Sequence, residues 1–448
     1  MTVPTTWRSV LSLLDQPLPP DRSPETAEGG PVSVNLPLPL VRQSVQAREH
    51  WPIPTEVLEQ YRLHRPTPMW RAHRLERAVG AKVPIYVKYE GGNIAGSHKL
   101  NTALAQAYYY REAGVKELVT GTGAGQWGTA LAAACAQFDL RCTVFMVGDS
   151  LRKKPYRGVL MRLLGAQVHS SPSGLTDVGR RDLDGESSNS LSLAIGEAVQ
   201  YAAGDDTRAF AIGSGETYSI LHQSVIGLES IEQLASAEAD VDAVVGCVGA
   251  GSNFGGVALP FFAKARDEGR RPPLLLAVES NVTPKLTRGV YAYERTDASG
   301  AGPLEAMYTI GSTCTVPDSH AAGLRYHGVA KLLSAMRAHG QIAAAAIGQE
   351  TALRACRDFA LTESTLAAPE SGHALAAAIA LATGTVRDGE VEHRARKGVL
   401  VCLSGHGYLD LGAYEQHMDG QLTDTTVAES QLRLATAELP RVQLAGSS

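Results

Sequence analysis

The chain has 448 residues, 44% of them hydrophobic, and a formal charge of −5 at pH 7, which allows two substantial cores and lacks the basic excess that nucleic-acid binding needs. No apolar run is long enough to cross a bilayer, and Val10-Leu11-Ser12-Leu13-Leu14 is too short and poorly flanked for a secretion signal. The six cysteines, Cys135, Cys142, Cys247, Cys314, Cys356 and Cys402, form no CxxC pair, so they argue against a zinc cluster or disulfide framework and read as reduced, mostly buried small hydrophobes of a cytoplasmic protein.

Residues 1–64 are rich in proline and polar side chains, notably Pro17-Leu18-Pro19-Pro20-Asp21, and are expected to wrap the surface rather than enter a core. The body begins at Arg65-Pro66-Thr67-Pro68. Periodicity then predicts a strand at 84–89, a helix at 99–112, a strand at 117–120, a helix at 126–137, a strand at 141–147 and a helix at 155–164. The polar, glycine-bearing stretch 170–190 interrupts this rhythm, as a mobile flap or an ordinary surface loop would, before a helix at 191–203. A second run follows, with a helix from His222 to about Leu234, a strand at 241–248, a helix from Gly255, a strand at 274–279 and a last strand at 398–403. Such alternation is that of parallel βαβ units and places the chain in the α/β class. Residues 65–220 are expected to form an N-terminal lobe with a mobile substrate-binding subdomain at about 100–205. Residues 221–418 form a C-terminal lobe, and 419–448 a peripheral tail.

The motifs lie where strands give way to helices. Gly96-Ser97-His98-Lys99-Leu100-Asn101 follows the first strand of the body and opens a helix, with Ser97 as candidate cap. Partial burial beside a helix start lowers a lysine's basicity and makes Lys99 a candidate nucleophile toward a carbonyl. Taken alone, it also fits an ordinary exposed lysine in a first helical turn. Gly121-Thr122-Gly123-Ala124-Gly125-Gln126-Trp127-Gly128 and Gly249-Ala250-Gly251-Ser252-Asn253-Phe254-Gly255-Gly256 are two further strand-to-helix turns, whose glycines let backbone N–H groups converge on an anion. One lysine with two anion cradles fits a phosphorylated aldehyde cofactor and a substrate carboxylate. Gly123 to Gly128 also satisfies GxGxxG, with Asp149 about twenty residues on, so a nicotinamide enzyme is the rival reading. Glu279 and Asp318 read as solvated or loop carboxylates.

At these motifs, together with Lys154-Pro155-Tyr156-Arg157, Leu221-His222-Gln223, Gly323-Leu324-Arg325-Tyr326-His327-Gly328, Pro369-Glu370-Ser371 and Leu403-Ser404-Gly405-His406-Gly407, the sequence resembles the tryptophan synthase beta chains. The likeness is to their longer stand-alone type, within the fold-type II pyridoxal phosphate enzymes, over residues 50 to 415. The resemblance implies two open parallel-sheet lobes with pyridoxal 5'-phosphate in the cleft between them. It also implies a homodimer that need not pair with an alpha chain, and a monovalent cation held by backbone carbonyls. Lys99 would form the internal aldimine and carry the Cα proton. Gly249, Ala250, Gly251, Ser252 and Asn253 would hold the phosphate, with His98 beside it. Thr122, Gly123, Ala124, Gly125 and Gln126 would hold the substrate carboxylate, Ser404 would face the pyridine nitrogen, and Glu370 would lie near the ring.

Two positions depart from the family pattern. A catalytic glutamate is expected where this chain has Gly121, and an aspartate where it has Thr313. Losing a positioned proton-transfer group removes a factor of about 10² to 10⁴ in rate. The expectation is therefore aminoacrylate chemistry, β-replacement on a serine-type amino acid, with an altered donor or nucleophile and a place in specialised amino-acid biosynthesis. Gly121 is read as making room for a bulkier substrate rather than as a turn requiring positive φ. An ordinary serine-plus-indole enzyme with a substitute acid/base, a β-eliminating deaminase, and a cofactor-binding protein without catalysis stay open beside it.

Overall fold

Each glycine-rich turn caps the carboxyl end of a buried strand, and these strands belong to the two larger sheets, beside three two-stranded ribbons among the described residues. A computed structural model describes residues 2–22, 36–183, 190–296 and 302–444; residues 184–189, within the expected loop at 170–190, lie outside them. In chain order, β1 (Met69–Arg71) and β2 (Ile85–Tyr89) open the larger sheet. The chain then leaves to build the smaller one from β3 (Glu117–Thr122), β4 (Arg141–Val147), β5 (Gln167–Ser171) and β6 (Arg208–Phe210). It returns with β7 (Ala243–Cys247), β8 (Leu274–Ser280), β9 (Ala343–Ile347) and β10 (Val399–Leu403). The larger sheet has the order β9-β8-β7-β10-β2-β1, parallel except for its edge strand β1, and the smaller is parallel throughout in the order β5-β4-β3-β6. Parallel neighbours need crossover helices on the sheet faces.

Seven helices position the cleft: α1 (Lys99–Glu112), α2 (Gln126–Gln137), α3 (Pro155–Leu163), α4 (Leu191–Ala203), α5 (Thr217–Ser236), α6 (Ser252–Asp267) and α7 (Pro369–Thr383). The expected helix bounds hold for α1, α2 and α4, whereas α5 begins five residues before His222 and α6 three before Gly255. Those two starts were hidden because their first turns are fully buried and carry no apolar-polar alternation. Helix α4 packs Ala194, Ala198 and Ala202 against Val119, Phe145 and Val147 of the smaller sheet. Small residues at that interface let the helix backbone sit close to the strands.

The N-terminal segment departs from expectation. It runs over the body, yet Trp7, Leu40, Trp51, Val57 and Tyr61 are buried within the same core as Leu104 and Phe254. Proline had signalled the irregular path, while the apolar residues between the prolines supply the packing. Among the described residues, no helix is long and apolar enough to cross a membrane.

Five polar residues meet beneath the start of α1. Arg65 bonds Glu90 through Nη1 at 2.9 Å and Glu229 through Nε at 2.8 Å, and Lys88 Nζ donates to Glu229 at 2.7 Å. These side chains are almost wholly buried. Arg65 Nη1 also reaches Asn101 Oδ1 at 2.9 Å, in the first turn that carries Lys99. Burial pushes the Glu90 carboxyl upward, and Arg65 and Lys88 more than reverse this, holding it at about 2. Its contribution to stability is thus full above the unfolded value of 4.5 and fades as pH falls from there toward 2. Removing one carboxylate leaves desolvated cations uncompensated, so Glu229→Ala is expected to cost about 3–5 kcal/mol in urea unfolding at pH 7. A loss below about 1 kcal/mol would show that the network is not held together as described.

Candidate active site

The carboxyl ends of β2, β7 and β10 open into one cavity, lined among others by His98, Lys99, Gln126, Arg157, Gly249 to Asn253, Gly323, Leu324, Glu370 and Ser404. Lys99 enters it as the first residue of α1, after His98 as N-cap. Ser97 does not cap the helix; its buried Oγ has no hydrogen-bond partner. The lysine is partly accessible from the cavity, and desolvation pushes its amine down to about 8, against the weaker opposing pull of Cys247 and Glu370. A tenth or so of an amine with that value is neutral at pH 7, enough for it to act as a nucleophile.

The next turn is built to receive an anion. Gly251 adopts φ +112° immediately before α6, a left-handed conformation that favours glycine, and the helix then presents the N–H groups of Ser252 and Asn253 at its positive end. His98 stands beside it, with Nε2 at 3.2 Å from Ser252 Oγ and Nδ1 at 3.1 Å from the Ser404 carbonyl. Burial, with the Lys99 charge added, drives the imidazole down to about 3. The ring is therefore neutral at physiological pH and acts as a hydrogen-bonding group. Asn253 Oδ1 is buried and unpartnered. A helix start with free N–H groups and a hydroxyl, lining the same cavity as a lysine amine, fits the phosphate and aldehyde of pyridoxal phosphate.

The opposite wall carries the other groups. Gln126 Nε2 and the Gly323 N–H both donate to Glu370 Oε1 at 2.9 Å, leaving buried Oε2 without a partner. Ser404 Oγ lies 2.9 Å from Ser371 Oγ and accepts a 3.5 Å contact from Cys247 Sγ. Arg157, 2% exposed, lines the same cavity with Nε and Nη1 unpartnered, while its Nη2 reaches Asp410 at 3.4 Å. Lys154 also pairs with Asp410, and Lys153 spans to Asp318 at 2.8 Å. These ion pairs join the chain around α3 to the larger lobe at the cleft.

The cavity thus brings together His98, Lys99, Gln126, Gly249, Ala250, Gly251, Ser252, Asn253, Glu370 and Ser404. Thr122, Gly123, Ala124 and Gly125 do not line it, although Gln126 of the same turn does. Thr313 is exposed and also lies outside the lining; an irregular loop intervenes, and motif spacing could not fix its register. Arg157 and His406 belong to motifs already picked out, but nothing in their spacing marked them as cavity residues.

Gly121 requires a different account from the extra-room reading. Its φ is not positive, and a Cβ there would lie 2.6 Å from the Ala194 carbonyl carbon and oxygen and from Ile195 N. The first turn of α4 fills the space a side chain would take. Close backbone approach is the local constraint, and it is set by a helix seventy residues further along the chain.

A family model described as "Pyridoxal-phosphate dependent enzyme" matches residues 61–404, and the chain belongs to that family. It is a PLP-dependent enzyme of fold-type II. The chain is similar to "Tryptophan synthase beta chain 2" of Thermococcus kodakarensis, 44% identical over 430 residues that cover 94% of this chain and 95% of the relative. The protein of the same name from Aquifex aeolicus is 44% identical over 431 residues, covering 94% and 98%. Among solved structures, the processed form of threonine deaminase isoform 2 from Solanum lycopersicum superposes with a TM-score of 0.60 at 16% identity, covering 90% and 97%. A fungal L-serine ammonia-lyase from Rhizomucor miehei gives 0.58 at 16% identity, covering 80% and 99%. These two likenesses show the fold.

The contact at Gly121 is directly testable. Gly121→Ala places a methyl group against helix backbone and is expected to cost about 1–3 kcal/mol in urea unfolding. Wild-type stability in that variant would mean that α4 does not sit against β3 as described.

Proposed function

We propose that this enzyme carries out β-replacement on a serine-type amino acid using a donor with a better leaving group than free serine, or a nucleophile other than indole. The observation that carries this reading is the shortage of carboxylates in the cavity. Among the described residues, Glu370 is the one carboxylate lining it, and its Oε1 is already engaged by Gln126 and Gly323. At the end of β3, where the resemblance expects a glutamate, the space is taken by the α4 backbone.

Bound pyridoxal phosphate supplies the sink for the electron pair left when the Cα proton departs. Lys99 takes that proton and returns it to Cα, and an amine with a value near 8 suits both directions. The α6 start, Ser252 and neutral His98 hold the phosphate. Ser404 offers a neutral hydroxyl to the pyridine nitrogen, which disfavours full protonation of the ring and favours loss and replacement of the β substituent. In the net reaction the Cβ–O bond breaks, the leaving group departs with its electron pair as a carboxylate or phosphate anion, a bond from the nucleophile to Cβ forms, and the nucleophile's proton is released to solvent. An acyl or phosphoryl ester leaves without the proton that a hydroxyl requires. Arg157, with two buried guanidinium nitrogens unspent, offers charge to an anionic group on the substrate.

A second reading rests on the free Oε2 of Glu370. There the carboxyl acts as substitute acid/base, and the enzyme condenses serine with indole, as the resemblance to the tryptophan synthase beta chains implies. The two readings separate in one experiment. The holoenzyme is given L-serine, O-acetyl-L-serine or O-phospho-L-serine, with and without indole, and turnover is followed by absorbance and product mass. The altered-donor reading expects an activated ester to exceed serine by about 10²-fold or more. Serine plus indole turning over as fast as either ester would overturn it in favour of Glu370.

A further inference from the structure

Lys285 lies just behind the cavity and takes no part in the chemistry above. It is fully buried, and its Nζ donates to two backbone carbonyls, Leu324 at 3.1 Å and Val248 at 3.4 Å. Val248 immediately precedes the Gly249–Asn253 turn. Leu324 follows Gly323, whose N–H holds Glu370 and whose carbonyl oxygen would lie 2.3 Å from a Cβ at Gly249. The ammonium therefore bridges the entry to the phosphate turn and the loop that fixes Glu370. Thr283 Oγ1 donates to the same Leu324 carbonyl at 2.9 Å.

Carbonyl oxygens around a compact cation, with no hydrogen-bonded side-chain acceptor, are the environment a bare monovalent metal ion also takes. A buried ammonium persists only where its surroundings compensate its charge. Glu279 supplies that compensation from β8. It is buried rather than solvated, accepting N–H bonds from Leu286 at 2.9 Å and Thr287 at 3.0 Å and an O–H bond from Thr287 at 2.7 Å. The other titratable groups sensing the ammonium are Cys247, His327 and His373. Burial drives both imidazoles down, to about 3 and about 4, so neither competes as a cation near neutral pH. Burial also lowers the amine, to about 8, so it stays mostly protonated at pH 7.

We infer that the Lys285 ammonium is a tethered internal cation that takes the place of a bound monovalent metal ion, tying the Val248 and Leu324 carbonyls together to hold the phosphate turn and Glu370 in register. The ion implied by the resemblance does not fit this position, since the ammonium itself occupies the space between the two carbonyls and its charge would repel a second cation. Lys285 is accordingly a positioning residue. The inference concerns the same cavity as the proposed function but does not depend on which amino acid reacts.

The test uses thermal melting of the cofactor-free protein, and cofactor binding followed by absorbance, in chloride salts of sodium, potassium, ammonium and tetramethylammonium at equal ionic strength. Neither readout needs a donor, so failure of the donor assignment leaves this test intact. Wild type is expected to melt and bind alike in all four salts. Lys285→Ala, which opens space beside the carbonyls, is expected to melt lower in tetramethylammonium and to recover by about 4 °C or more, with tighter cofactor binding, in potassium or ammonium. Lys285→Met, which refills the space with an apolar chain, is expected not to recover. A wild-type protein that needs potassium or ammonium overturns the inference, whether or not the variants fold. So does a folded Lys285→Ala that no cation restores, because the lysine would then serve only as counter-charge to Glu279.

Discussion

Everything at the cofactor cleft depends on a buried charge network that joins three distant stretches of chain. Arg65, from the segment before the first sheet strand, is clasped by Glu90 at the end of β2 and by Glu229 in the middle of α5. The same guanidinium holds Asn101, one turn from the cap of the helix that opens with Lys99. A lysine side chain has four flexible torsions, so its amine can be aimed only if its backbone is fixed. Partnered charge in a low-dielectric interior is a strict way to fix it, because any displacement leaves an ion exposed to an apolar surround.

The cleft is then defined by how closely backbones approach each other. Gly121 lets α4 settle on β3, and that contact both seals the smaller lobe and excludes a side chain where the resemblance expects a carboxylate. Structure and chemistry are coupled at this single residue. A cavity with one carboxylate, one lowered amine, the two burial-lowered imidazoles of His98 and His406 and an underused guanidinium is well supplied for binding anions and moving one proton at Cα. It is poorly supplied for helping a hydroxyl leave. The substrate proposed here follows from that imbalance.

Much of the cleft was legible in the sequence because its parts sit at strand ends, where glycine, serine and asparagine turns interrupt apolar runs. The starts of α1 and α2 could be read to the residue, since short-range geometry dictates them. What could not be read depends on contacts between distant parts of the chain. The crowding at Gly121 comes from Ala194, the proline-rich leader hides Trp7 and Trp51 in the core, and Thr313 lies in a loop whose register no periodicity sets. Glu279 reads from the sequence as a solvated or loop carboxylate and Lys285 falls in no motif; the burial of both is set by contacts with distant parts of the chain.

Three lysines are buried or partly so and have lowered amines: Lys88, Lys99 and Lys285. Only Lys99 of the three lines the cavity. Reduction of the cofactor-loaded protein with borohydride, followed by peptide mass mapping, asks directly which of them reaches the aldehyde. The account requires a single pyridoxyl group on the peptide containing Lys99. A label on Lys88 or Lys285, or no covalent label at all, would contradict it.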